Sequence, residues 1–194
     1  MRHAVHLSIE PEGRPRRIHV VLRLVLMLAL GVIHFDRVYG VAYLAVPALV
    51  ALAIGSRGAG RYVAEDGPRL ARLLRWIAAA GAYLSLLTDV PPTLAPGHVE
   101  LVIEPRGAPT VGSALLRLVT SLPALVLVAL LSLVASFCWL VGAACILVAE
   151  RLPGALRTFL TLTLRTQLRL VAYHLSIVED YPSLADEPVA QAHG

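Results

Sequence analysis

The sequence predicts a mainly α-helical integral membrane protein: four transmembrane helices as two hairpins, two interfacial amphipathic helices and two short extramembrane β-strands, built from an internal tandem repeat. Three observations predict it. Of 194 residues, 57% are hydrophobic and only 15% charged, and mean hydropathy is +0.72, whereas soluble domains carry about 25% charged residues. A globule this small cannot hide that surplus of apolar surface, and lipid is the simplest sink for it. No charged residue falls between Leu118 and Ala149, a stretch more than long enough to cross a bilayer as a helix. Finally, the chain repeats itself.

One constant shift lays Val5, Leu7, Ile9, Glu10, Pro11, Gly13 and Pro15 on Val99, Leu101, Ile103, Glu104, Pro105, Gly107 and Pro109. The same shift lays Leu22-Arg23-Leu24 on Leu116-Arg117-Leu118. A shift four residues shorter then pairs Arg61 with Arg151, Arg75 with Arg165, Ala82-Tyr83 with Ala172-Tyr173, and Asp89 with Glu179. The copies run over about 3–95 and 97–187, leaving 188–194 as a flexible tail, and repetition on this scale takes precedence over local propensity in deciding a fold.

Each copy opens with a strand signal, Val5, Leu7 and Ile9 or Val99, Leu101 and Ile103 alternating with polar neighbours,. The Glu-Pro-x-Gly-x-Pro that follows breaks any helix and forces a turn. Open strand edges cannot sit in hydrocarbon, so both strands are placed outside the membrane, paired with one another or with a partner chain. Transmembrane hairpins follow over about 18–56 and 113–150. In the first, Asp36 and Arg37 interrupt two apolar segments as a loop. In the second the turn is very tight, near Leu131 to Val134. Arg23 and Arg117 then lie about one turn inside equivalent helix starts, from which their side chains snorkel to the headgroups.

The last element of each copy reads differently. Over about 67–88, Leu70, Leu73, Leu74 and Ile77 form an apolar stripe with Arg69, Arg72 and Arg75 opposite,. Over about 153–178, Arg157, Arg165 and Arg169 share one arc. Arginine at that density is too costly for a spanning helix. Both are predicted to lie in the interface, with these six arginines contacting anionic headgroups. All 17 basic residues are arginine, and all but Arg37 fall on one side of the four-span arrangement. The positive-inside rule therefore puts both termini in the cytoplasm. Arginines spread through both halves fit a lipid surface and not nucleic acid.

The tails "AYLSLLTDVPP" (Ala82 to Pro92) and "AYHLSIVEDYPSL" (Ala172 to Leu184), each after an arginine-bearing amphipathic helix, resemble an uncharacterised family of small bacterial membrane proteins, a domain of unknown function. That family's repeat closes in an "AYLxLLTDEYPPF"-like tail with a Tyr-Pro turn. The second copy is the better match, since the first lacks the acidic-Tyr pair before its prolines. The resemblance implies a bacterial inner-membrane, multi-pass location and brings no established activity.

No catalytic, cofactor-binding or metal-binding constellation is apparent: no G-x-S-x-G, H-E-x-x-H, P-loop, C-x-x-C or dinucleotide fingerprint,. Cys138 and Cys145 share one helix face about 10 Å apart by helical rise, too far to bridge, and read as free thiols. The expectation is a non-enzymatic accessory or scaffold subunit of a larger membrane complex, with other membrane subunits or a second copy as partner. The alternative is a small oligomeric transporter or channel, for which buried ionisable groups and discontinuous helices would be the marks.

Overall fold

A computed structural model of the chain describes residues 4–10, 14–32, 35–92, 99–103 and 108–182, with the backbone alone at 31–32 and 35–40. The tail at 188–194 and the side chains of Asp36 and Arg37 lie outside the described residues. The described chain is mainly helical, with one small two-stranded sheet.

Strands β1 (Val5–Ile9) and β2 (Val99–Ile103) pair with each other, antiparallel, placing Leu7 opposite Leu101, Val5 opposite Ile103 and Ile9 opposite Val99. Leu7 and Leu101 are matched positions in the sequence, so a half-turn about their midpoint carries each strand onto the other. Alternation gives the ribbon one buried face, with Val5, Leu7 and Leu101, and one open face, with His6, Ser8 and Glu100,.

Helices α1 (Arg17–Val32) and α2 (Phe35–Arg57) follow β1. Asp36 and Arg37 thus fall in the first turn of α2, not in the loop expected for them. The chain breaks at Gly58, whose φ of 85° suits glycine,. It runs through a single helical turn, α3 (Ala59–Arg61), and a π-helical turn (Tyr62–Asp66) into α4 (Gly67–Leu84). The axes on either side of the break differ by 116°.

The second half departs from expectation. Helix α5 (Val111–Thr120) starts at a capping box in which the side chains of Thr110 and Ser113 satisfy each other's backbone N–H,. Helix α6 (Leu122–Ala149) then runs unbroken through Leu131 to Val134. The turn predicted there is absent, because a run of good helix formers with no Gly or Pro gives the backbone no reason to reverse. The break lies at Ser121 instead. Pro123 has no N–H to offer the turn behind it, and the Ser121 side chain folds back against the Arg117 carbonyl at the break. The consequence is unequal lengths. At 1.5 Å per residue α6 is about 42 Å long and α5 about 15 Å, against about 30 Å of hydrocarbon. Helix α6 is the one described helix long and apolar enough to cross a membrane, or one of two if the bent pair around Gly58 counts as a span.

Glu150, in the left-handed region, and Pro153 end α6 and launch α7 (Gly154–His174). Helix α7 lies antiparallel along the whole of α6. Ala124 and Val128 touch Leu170, Ser132 meets Gln167, and a Cβ on Gly142 would reach the Leu152 and Leu156 side chains. The central core joins the sheet to α4 and α7 through Val5, Leu7, Leu101, Leu74, Ala78, Leu164 and Leu168. Helix α7 is therefore covered on several sides, whereas α4 keeps one face open.

Candidate functional site

The most organised polar features are two buried arginines, each docked on the end of a helix. Helix α4 closes in a left-handed turn: Leu86 has φ 64°, its N–H bonds the Tyr83 carbonyl, and the Leu87 N–H bonds the Ala82 carbonyl. Helix α7 closes the same way, with Ser176 at φ 54° and the Ser176 and Ile177 N–H groups bonded to Tyr173 and Ala172. This is the Schellman pattern, built on residues other than glycine and so carrying some strain. It leaves the last carbonyls of each helix needing donors, and helix C-termini attract cations.

Arg23 and Arg117 supply them. The Arg23 guanidinium, 0% exposed, donates to the Thr88 carbonyl and pairs with the Asp89 carboxylate at 2.7 Å. It also lies 4.6 Å from the centre of the Tyr83 ring. Arg117, 5% exposed, donates to the carbonyls of Tyr173 and Val178 at 2.6 and 2.7 Å and lies 4.5 Å from the centre of the Tyr173 ring. Neither side chain extends outward to snorkel as the sequence predicts. A docked helix end gives the charge more than a distant headgroup could: carbonyls in place, an aromatic face and, for Arg23, a carboxylate.

Each turn is also capped from across the molecule by an aromatic donor. The Trp139 indole N–H donates to the Leu84 carbonyl at 2.8 Å, and the Tyr62 hydroxyl donates to the Leu175 carbonyl. Burial, helped by nearby Asp66, pushes the Tyr62 phenol up to about 12, so it stays a donor at any physiological pH.

Sequence reasoning missed a serine-histidine pair. Ser121 Oγ lies 3.0 Å from His174 Nε2, His174 Nδ1 lies 3.1 Å from the Leu170 carbonyl, and the Tyr43 hydroxyl lies 2.9 Å from Ser121 Oγ. A carbonyl only accepts, so Nδ1 carries the proton and Nε2 is an acceptor. Burial pushes the imidazole below its ordinary value, keeping it neutral. The arrangement has a nucleophile beside a base, yet Ser121 is 0% exposed and His174 5%, which suits a plug that satisfies the broken helix and not an open active site. Its members are distant in sequence and belong to no local motif, so no one-dimensional signal announces them.

Of the six arginines assigned to the membrane surface, Arg69, Arg72 and Arg75 stand exposed along α4. Arg157 and Arg165 are half-buried and Arg169 is buried, because α7 is enclosed by α6, α4 and β1. Among the described residues no cluster of three or more His, Cys, Asp or Glu is placed to hold a metal, and both cysteines are free.

Comparison with known families adds one match, on the second half of the chain. Residues 112–185 match the family model of a domain of unknown function, DUF4389. The DUF4389 segment takes in nearly all of α5, then α6, α7, Arg117 and the Ser176 turn with the tail beyond it. No curated protein and no solved structure matches the chain.

Proposed function

We propose that the protein is a non-enzymatic integral membrane protein of the bacterial inner membrane, an accessory or scaffold subunit of a larger membrane complex, derived from a tandem duplication. One observation carries the membrane part. The most apolar stretch of α6 has a mean hydropathy of 2.7 but is only 17% buried, the reverse of a soluble core helix. Val126, Leu130, Leu133, Phe137, Leu140 and Val148 all face outward, a patch far larger than soluble monomers tolerate. Exposed apolar side chains on α1, α2 and α5, such as Leu28, Leu52 and Val119, extend it. In this reading the outward apolar faces of α1, α2, α5 and α6 meet the hydrocarbon. Helix α7 is packed behind α6, the sheet and α4 lie toward the cytoplasmic side, and both termini lie in the cytoplasm as the arginine bias favours.

The scaffold part rests on where the polar groups are used: the buried arginines, tyrosines and histidine bond helix ends and leave no open reactive pair. Purification in mild detergent followed by mass spectrometry tests it. Stoichiometric membrane subunits are expected; a lone homo-oligomer with a polar lumen would replace this reading with the channel alternative. Cysteine labelling in intact cells, with Cys138 and Cys145 replaced, should give opposite accessibility for Arg37→Cys and Ala108→Cys. Equal labelling would refute the multi-pass arrangement.

A further inference from the structure

The two halves act as each other's control: where matched positions build the same scaffold, a group found in one half alone is not demanded by that scaffold. A cavity of about 570 Å³ opens where the start of α1, the turn after α4 and the start of α7 meet. Its basic lining is Arg14, Arg16, His19 and Arg157, and Asp89 is its one acid. By the sequence match these basic positions fall in the other half on Ala108, Thr110, Ser113 and Gly67, none of them basic. The equivalent arrangement around Arg117 and the Ser176 turn forms the same strand, arginine dock and left-handed turn with no basic residue at these matched positions.

One oxygen of the Asp89 carboxylate accepts from the buried Arg23 guanidinium at 2.7 Å and the other from the Arg16 backbone N–H at 2.6 Å. Against this one acid stand three arginines around the cavity, Arg14, Arg16 and Arg157. Arg157 is held over it by a long contact, 3.4 Å, to the Leu87 carbonyl. Arg14 and Arg16 are exposed and able to close on a ligand. Planar guanidinium forks match phosphate oxygens in pairs.

We infer that this cavity is a binding site for a phosphate-bearing anion, gripped by Arg14, Arg16 and Arg157. Two sources share that chemistry: the headgroup of an anionic phospholipid, and a free phosphate compound. The site lies beside the first turn of α1, next to exposed apolar Ile18 and Val21, so a headgroup with its chains along α1 is the occupant that uses both surfaces. The inference stands on the asymmetric basic lining and does not depend on the scaffold role.

The test uses the full chain purified in neutral detergent. Phosphatidic acid, and separately inorganic phosphate, are titrated while thermal stability and native mass spectra are followed, with phosphatidylcholine as the neutral comparison. An Arg14→Gln/Arg16→Gln double variant and an Arg157→Gln variant are compared with an Arg57→Gln/Arg61→Gln control, which removes at least as much charge from exposed positions outside the cavity. Each lost charge-assisted contact should weaken binding about tenfold or more. The pocket variants should therefore lose phosphatidic acid while the control keeps it. Saturation by inorganic phosphate alone, with the same dependence on the variants, would support the site and assign it to a soluble ligand. Equal losses in pocket and control variants, or binding of neither probe by the parent protein, would overturn the inference. Arg14 and Arg16 are exposed, so their variant is expected to fold; a circular dichroism spectrum like the parent's verifies it.

Discussion

The two arginine docks invite comparison, since the same residue meets the same turn and is neutralised differently. In the first half Arg23 faces a carboxylate, Asp89, whose side chain is 17% exposed. In the second, Arg117 takes two backbone carbonyls, and the matching Glu179 is exposed. A buried cation is tolerated either by a counter-charge or by enough fixed dipoles. The first solution is the more brittle, because removing one partner strands the other. Around the docks the halves diverge further. The end of α4 is stiffened by Trp139 from α6, whereas the end of α7 rests on Tyr62 and the Tyr43, Ser121 and His174 cluster.

The largest expected effect separates the two docks. Arg23→Ala should cost about 3–5 kcal/mol by taking the counter-charge away from Asp89, and Asp89→Ala in the same background should recover part of that loss. Arg117→Ala should cost about 1.5–3 kcal/mol, with a smaller recovery from Glu179→Ala, whose exposed carboxylate attracts Arg117 only through solvent-screened charge,. Thermal unfolding of the four proteins in detergent measures both couplings, and equal coupling in the two halves would erase the distinction.

A smaller effect concerns how closely α4 and α7 approach. A Cβ at Gly81 would lie 2.5 Å from Leu164 Cδ1, so Gly81→Val should destabilise by about 1–3 kcal/mol through overpacking. Leu164→Ala should lessen that penalty when the two changes are combined. Additive losses in the double variant would mean the helices cross elsewhere.

The histidine cluster has no counterpart in the first half, where Leu84 stands at the matching position. His174 titrates lower in the folded protein than its ordinary 6.5 because it is buried. The unfolded chain therefore binds the proton first. Stability is complete above about 6.5 and falls as pH drops below it, down to the folded value. Denaturation curves across that range should show this acid sensitivity, and His174→Leu should flatten it. An unchanged slope in the variant would assign the acid sensitivity to other groups.

The smallest effect is expected on α4. Replacing Arg69, Arg72 and Arg75 by glutamine should shift stability by no more than about 0.5 kcal/mol each, since all three are exposed and the Arg69 to Asp66 contact is long, at 3.6 Å,. Arg169→Gln, at a buried position of α7, should cost more. Similar values at the two sites would mean that α7 is as open as α4.

Much of this was legible in one dimension because it depends on periodicity and composition. Alternation announced β1 and β2, the apolar run announced helix though not that α6 would run through it without a turn, and the spacing of leucines and arginines announced α4 with its exposed basic face. The match between halves also announced that Arg23 and Arg117 would share a role. The role itself was misread: a charge near a helix start is drawn to whichever partner is nearest, and the nearest partners, Thr88 and Tyr173, lie far along the chain. Helix α7 was misread for a related reason. Its arginine arc predicts an open face, but the length of α6 gives it a neighbour along its whole course.

By itself the sequence determined the strands, the helical segments and the apolar surplus, because backbone period and side-chain hydration are local properties. Where the second half interrupts its helix, how α7 is enclosed, what the buried arginines bond and how serine meets histidine were decided only by tertiary structure. Those outcomes depend on which unsatisfied carbonyl or cavity the folded chain brings within about 3 Å of a donor, a distance that separation along the chain does not encode.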